Sequence, residues 1–90
     1  MGKEVLQDRV ALVTGGGRGI GRAIAISLAE AGAHVAVNYR ARREQALETC
    51  GRIEGIGRRA AAVQADVSRA PDVQRLVAAV GESLGPVEIL

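Results

Sequence analysis

The sequence predicts an α/β fold in which a parallel sheet is covered by helices, and three observations carry that prediction. Short apolar runs near residues 10–13, 34–39 and 60–65 alternate with longer segments whose apolar residues recur at helical spacing. Helix-ending residues stand where those longer segments stop, with Gly32 after the first and Gly85 and Pro86 after the last. A glycine-rich stretch over residues 14–21 joins the first strand to the first helix. Strands that alternate with helices pair in parallel through crossovers, which leaves both faces of the sheet to be covered.

Taken in order, residues 9–14 are a short buried strand with Asp8 and Arg9 charged at its mouth. Residues 20–31 follow as a helix, with Ile20, Ala23, Ile24, Ser27, Leu28 and Ala31 at helical spacing. Residues 34–39 form the second strand. Residues 41–55 form the second helix, with Leu47, Cys50 and Ile53 expected inside and Arg42, Arg43, Glu44 and Glu48 in water. Gly51 weakens that helix slightly, and Gly55, Ile56 and Gly57 read as a flexible turn. A third strand is expected at residues 60–65. Pro71 and Asp72 then begin a third helix whose Val73, Leu76, Val77, Val80 and Leu84 lie in one stripe. Residues 87–90 start a fourth strand. The expected result is one Rossmann-type domain over residues 1–90, with four strands in the order 3-2-1-4, three helices and a ligand across the carboxyl ends of strands 1 and 4.

Ninety residues make at most one domain. Tyr39 is the sole aromatic residue, so small aliphatic side chains must fill the core. The formal charge of +2 is too small to point to a nucleic-acid partner, and bases would find no aromatic platform. Cys50 is the only cysteine, which excludes an internal disulfide and leaves a small buried apolar group. No apolar run reaches the length of a signal-peptide core or a membrane span, and position 6 is Leu6 where an acylation signal needs Ser or Thr. The expectation is a cytoplasmic chain with no membrane or lipid anchor. His34 has no Cys or acidic partner at ligand spacing, so no metal is expected and His34 reads as a surface residue.

Residues 14–21 read Thr-Gly-Gly-Gly-Arg-Gly-Ile-Gly. Five glycines between a strand and a helix cost unfolded-state entropy that a simple turn does not require, but they let main-chain amides and the positive end of a helix approach a diphosphate. Two familiar phosphate patterns fail. Starting Gly-x-Gly-x-x-Gly at Gly17 puts Arg22 at the third glycine, and starting at Gly19 puts Ile24 there. Gly16 and Gly21 have the separation of a nucleotidase loop, yet Arg22 and Ala23 stand where Lys and a magnesium-binding hydroxyl are needed.

Thr-Gly-x-x-x-Gly-x-Gly does fit from Thr14, and here the chain resembles the short-chain dehydrogenase/reductase family over essentially all its length. The resemblance rests on Thr14, Gly15, Gly19 and Gly21, on Asp66 and Val67 after the third strand, and on residues 85–90 leading into the fourth. It implies the N-terminal, cofactor-binding half of a hydride-transferring enzyme that binds a nicotinamide dinucleotide and a small carbonyl or alcohol substrate, with a homo-oligomeric parent protein. The sequence Val-Asn-Tyr-Arg at residues 37–40 is most similar to the 3-oxoacyl carrier-protein reductases of that family.

At the end of the second strand, where an acid would hold both ribose hydroxyls, stand Tyr39 and Arg40. With no carboxylate to repel a 2′-phosphate and with Arg40 and Arg18 able to grip one, NADP is the expected cofactor. The resemblance implies that Thr14, Gly15, Gly19, Ile20 and Gly21 line the diphosphate, that Asp66 accepts from the adenine amino group, and that Val67 adds a main-chain contact. Asp66 also suits a cap on the next turn through Ser68 and Arg69. The family's Tyr-x-x-x-Lys proton donor has no match here, because Arg43 follows Tyr39 by four residues and Lys3 is the sole lysine. No catalytic residue is therefore expected within the chain, which by itself should be inactive. Two other readings stay open: a non-catalytic nucleotide-binding module and a truncated product without function.

Overall fold

The structure, a computed structural model, describes residues 5–15, 17 and 19–89. Three parallel strands, β1 (Val10–Thr14), β2 (His34–Tyr39) and β3 (Ala60–Gln64), alternate with α1 (Gly19–Glu30), α2 (Arg43–Ile56) and α3 (Ala70–Ser83). The sheet order is β1-β2-β3. Thr14 is level with Asn38, and Tyr39 with Gln64, so the three carboxyl ends finish along one rim of the sheet.

Alternation along each strand explains the layering, since successive side chains point to opposite faces. Ala11 and Val13 of β1 and Val35 and Val37 of β2 pack with Ala25 and Ala29 of α1 and with Ala46, Cys50 and Ile53 of α2. The opposite face carries Val10, Leu12 and Ala36, which meet Ala65 and, on α3, Leu76 and Val80. Central β2 is thus buried on both sides, as a parallel strand between helical layers must be.

Where a fourth strand was expected, the described residues form one isolated parallel bridge, between Ala11 and Ile89, and the sheet has three strands. Ile89 O accepts from Leu12 N–H at 2.8 Å, and Val10 O accepts from Glu88 N–H at 2.9 Å. After Gly85 and Pro86 the described chain offers three residues to this edge, too few for a ladder, and Leu90 lies outside the described residues.

Two helices differ from expectation in how they face the core. On α1 the buried residues are Ala25 and Ala29, while Ile20 is 80% exposed and Ile24 48% exposed. Alanines let the α1 backbone come close to the sheet and α2, and this turns the larger apolar stripe outward. On α2 the buried set is Ala46, Thr49, Cys50 and Ile53, and Leu47 is exposed. Helix α2 also runs through Gly55 to Ile56, where a turn was expected, and Gly57 ends it in the left-handed conformation at φ 101°. Gly51 and Gly55 lie on the wet side, where no packing is lost, and buried Ile53 between them holds the last turns down.

Beside β1 and away from β2, α1 and α3 leave an open apolar cleft of about 560 Å³ between Ile24 and Leu28 on one wall and Val73 and Val77 on the other. No helix among the described residues is long and apolar enough to cross a membrane.

Candidate functional site

Most of the residues singled out by sequence meet at the carboxyl rim of the sheet. A hollow of about 420 Å³ is lined by Thr14 and Gly15 after β1, Asn38 and Arg40 at the end of β2, and Asp66, Val67 and Ser68 beyond β3. A second hollow of about 230 Å³ shares Gly15, Asn38 and Arg40 with it and extends past Tyr39 to Arg42 and Gln45 at the start of α2. Together they form a trough over three strand ends. Gly19, Ile20 and Gly21 open α1, and no acidic side chain occupies its first turn, so its positive end is not neutralised from within the helix. Arg18 and Gly16 lie outside the described residues.

Gly15 and Gly19 adopt φ of 67° and 60°, the left-handed region in which a β-carbon is strained, and among the described residues, chain neighbours aside, a β-carbon on either would meet nothing within 4 Å. The space above these two residues is therefore open to a ligand. Gly17 differs. Its β-carbon would come within 3.1 Å of Ala46 N and 3.3 Å of Ala46 Cα, so a side chain here would crowd α2 and push it back by a few tenths of an ångström.

The Gly17 carbonyl is the centre of a hydrogen-bond cluster that sequence reasoning missed. It accepts from Arg22 Nη2 at 2.7 Å and from Arg22 Nε at 3.1 Å. Thr49 Oγ1 accepts from Arg22 Nε at 2.9 Å and lies 3.2 Å from both Gly17 O and Gln45 O, so its one hydrogen can serve either carbonyl. Arg22 Nη2 also reaches Gln45 O at 3.1 Å and Glu48 Oε1 at 3.0 Å. Nothing in the spacing of Gly17, Arg22 and Thr49 announces a contact that forms only after two crossovers have folded.

Asn38 was also overlooked, though a polar residue inside an apolar strand was a readable signal. It is buried, and its amide donates to Val63 O and Ala65 O at 3.2 Å. This ties the exit of β2 to that of β3 and fixes the floor of the trough.

Asp66 stands at the rim with its roles divided. One carboxylate oxygen accepts from Ser68 N–H at 3.0 Å and from Ser68 Oγ at 2.6 Å, forming the local turn that the sequence allowed. These two bonds hold its carboxyl below the ordinary value of 3.8, helped by the nearby charges of Arg40 and Arg69. The Asp66 main-chain N–H donates to Asp72 Oδ2 at 2.9 Å, so the first turn of α3 orients the loop. Arg75 steadies the same corner by donating to Gln64 O at 2.9 Å. Val67 is exposed beside Asp66.

His34 is not a loose surface residue. Its Nδ1 accepts from Arg59 N–H at 3.0 Å and its Nε2 lies 3.3 Å from Asp8 Oδ1, at the opposite end of β2 from the trough. Cys50 is buried, and burial pushes its thiol up to about 11, which makes it a packing group.

Comparison with known proteins agrees with this geometry. The short chain dehydrogenase family profile matches residues 9–90. A short-chain dehydrogenase/reductase homologue of Bacillus subtilis is 48% identical over 92% of this chain and 76% of its own length. A hydroxynaphthalene reductase of Aspergillus fumigatus is 46% identical over 94% of this chain. This chain spans 31% of that reductase, and about a third of several other curated relatives. The crystal structure of a short-chain dehydrogenase from Burkholderia cenocepacia in complex with NADP superposes with a TM-score of 0.87 at 47% identity, over 92% of this chain and 34% of the other. The sheet order, the glycine turn and these matches agree: the chain belongs to the short-chain dehydrogenase family and corresponds to its N-terminal portion.

Proposed function

We propose that this chain is a single dinucleotide-binding domain and forms the NADP-binding part of a short-chain reductase. The observation that carries the cofactor choice is the hollow at the end of β2, which Gly15, Gly17, Asn38, Tyr39, Arg40, Ala41, Arg42 and Gln45 line without a carboxylate. A ribose carrying a 2′-phosphate meets cations there and no acid. In this reading Thr14, Gly15, Gly19, Ile20 and Gly21 hold the diphosphate by main-chain groups and the α1 dipole. Tyr39 borders the ribose, and Arg40 and Arg18 bind the 2′-phosphate. Asp66 turns its free oxygen to the adenine amino group, and Val67 adds a main-chain contact. When bound, the coenzyme supplies or accepts a hydride. The NADP complex of the Burkholderia relative supports the reading.

The substrate class is a small carbonyl or the corresponding alcohol. The residues Val37, Asn38, Tyr39 and Arg40 favour a 3-oxoacyl thioester within that class. The full-length parent is a cytoplasmic homo-oligomer. Proton donation to the carbonyl falls to residues this chain does not carry, so the chain binds without turning over.

Titration of the folded chain with NADPH and NADH by calorimetry tests the proposal. NADPH should bind roughly ten- to hundredfold more tightly, the worth of about 1.5 to 3 kcal/mol for a charge-assisted contact. Arg40→Asp should narrow or reverse that preference. Equal affinities in the unmutated chain would overturn the cofactor assignment, and no heat with either would overturn the site.

A further inference from the structure

We propose that Arg22 is a positioning residue that ties Gly17 to the start of α2, so that the diphosphate and 2′-phosphate subsites keep a fixed separation. The inference rests on the dinucleotide reading above and assigns a role to a side chain that reading does not use. Two independent features support it. Gly17 presses its backbone onto α2 so closely that a β-carbon would crowd it, with Ala46 N 3.1 Å from where that atom would lie. Such a contact buries the Gly17 carbonyl, and a buried acceptor without partners is costly. Arg22 and Thr49 supply the partners.

The geometry requires arginine. Nε and Nη2 converge on Gly17 O at 3.1 and 2.7 Å, while the same fork reaches Thr49 Oγ1, Gln45 O and Glu48 Oε1 along one face of the first turns of α2. A lysine ammonium is a point donor and cannot span this set. With Nε and Nη2 committed in this way, Arg22 is a strut between loop and helix. Arg40 and Arg42 immediately precede α2. Any slip of α2 against the loop would therefore move the 2′-phosphate cations relative to the diphosphate amides. A ligand that spans both subsites must feel that slip, and a ligand confined to one must not.

The experiment compares NADPH, which spans both subsites, with adenosine 2′-monophosphate, which occupies one, on the chain and on Arg22→Met, Thr49→Val and Thr49→Ser. Arg22→Met should weaken NADPH by about tenfold or more while changing the monophosphate by less than about twofold. Thr49→Val should shift NADPH in the same direction by a smaller factor, and Thr49→Ser, which keeps the hydroxyl, should restore it. Equal losses for the two ligands would mean that Arg22 only supports the fold, and unchanged NADPH binding would mean that the strut is irrelevant; either result overturns the proposal. If Arg22→Met does not fold, the ratio measured on Thr49→Val decides. An unmutated chain that binds neither ligand removes the dinucleotide reading itself, an outcome distinct from failure of the strut.

Discussion

The two flanks of β1 are built differently. Toward β2 the strand is fully paired, the helical layer closes over Val35, Val37, Ala46 and Ile53 with none of them exposed, and the glycine loop is pinned to α2. Toward Ile89 there is one bridge, and Ile24, Val67 and Val77 stand exposed around an apolar cleft of about 560 Å³. Both flanks are apolar, but only the first is combined with polar groups held in place. In the proposed reading this is the flank that takes the adenosine half of the dinucleotide. The cleft has almost no polar lining, which suits it to packing against other apolar surface.

The contrast is broken most directly through stability. Ile53→Ala should cost about 2 to 4 kcal/mol, because it empties a filled site, on a domain whose total stability is of the order of 5 kcal/mol. Ile24→Ala, on the open flank, should stay within about 0.5 kcal/mol. Urea unfolding measures both, and equal losses would show that the two flanks are packed alike. A second test acts on the loop. Gly19→Val places a β-branched residue at φ 60°, a strain of about 1 to 3 kcal/mol, and fills the open space above the turn. NADPH binding should vanish, and a folded variant that kept its affinity would move the diphosphate elsewhere. The smallest effect concerns pH. Asp66 is held below 3.8 by Ser68, so the turn it makes is intact above the ordinary carboxylate range and is lost only as pH falls through the lowered value. Ser68→Ala removes the hydroxyl but keeps the main-chain N–H, so it should bring the Asp66 titration partway back toward 3.8 in carboxylate NMR, and an unmoved titration would assign the shift to the main-chain bond and the arginines.

Much of the pinned flank was legible in the sequence, because its elements carry local instructions. The apolar runs, Gly32, the Pro71 helix start and the Gly85-Pro86 stop place every described strand and helix within about two residues of the expected bounds. The rim residues Thr14, Gly15, Arg40 and Asp66 came together because parallel strands with helical crossovers put all carboxyl ends on one side. What was not legible depends on choices made across the fold. Ile20, Ile24 and Leu28 have the spacing of a core stripe, but Ala25 and Ala29 permit a closer approach and take the inner face. Periodicity cannot rank two apolar faces of one helix. Gly17 looks like its neighbours in the loop, and only the position of Ala46 shows that its hydrogen is there for contact. Arg22 reads as an ordinary surface cation until Thr49, 27 residues later, is brought beside it.

The register of the sheet also bears on how the chain acquires its shape. Val10 lies against His34 and Val35 against Ala60, partners about 25 residues apart in each case. No strand can zip onto its neighbour through a tight hairpin, so each pairing must wait for an intervening helix to shorten the loop before closure becomes affordable. Helix formation takes about a microsecond or less, whereas joining such distant partners is the slow event. The rate at which this protein matures after synthesis should therefore be governed by docking of α1 and α2 onto β2.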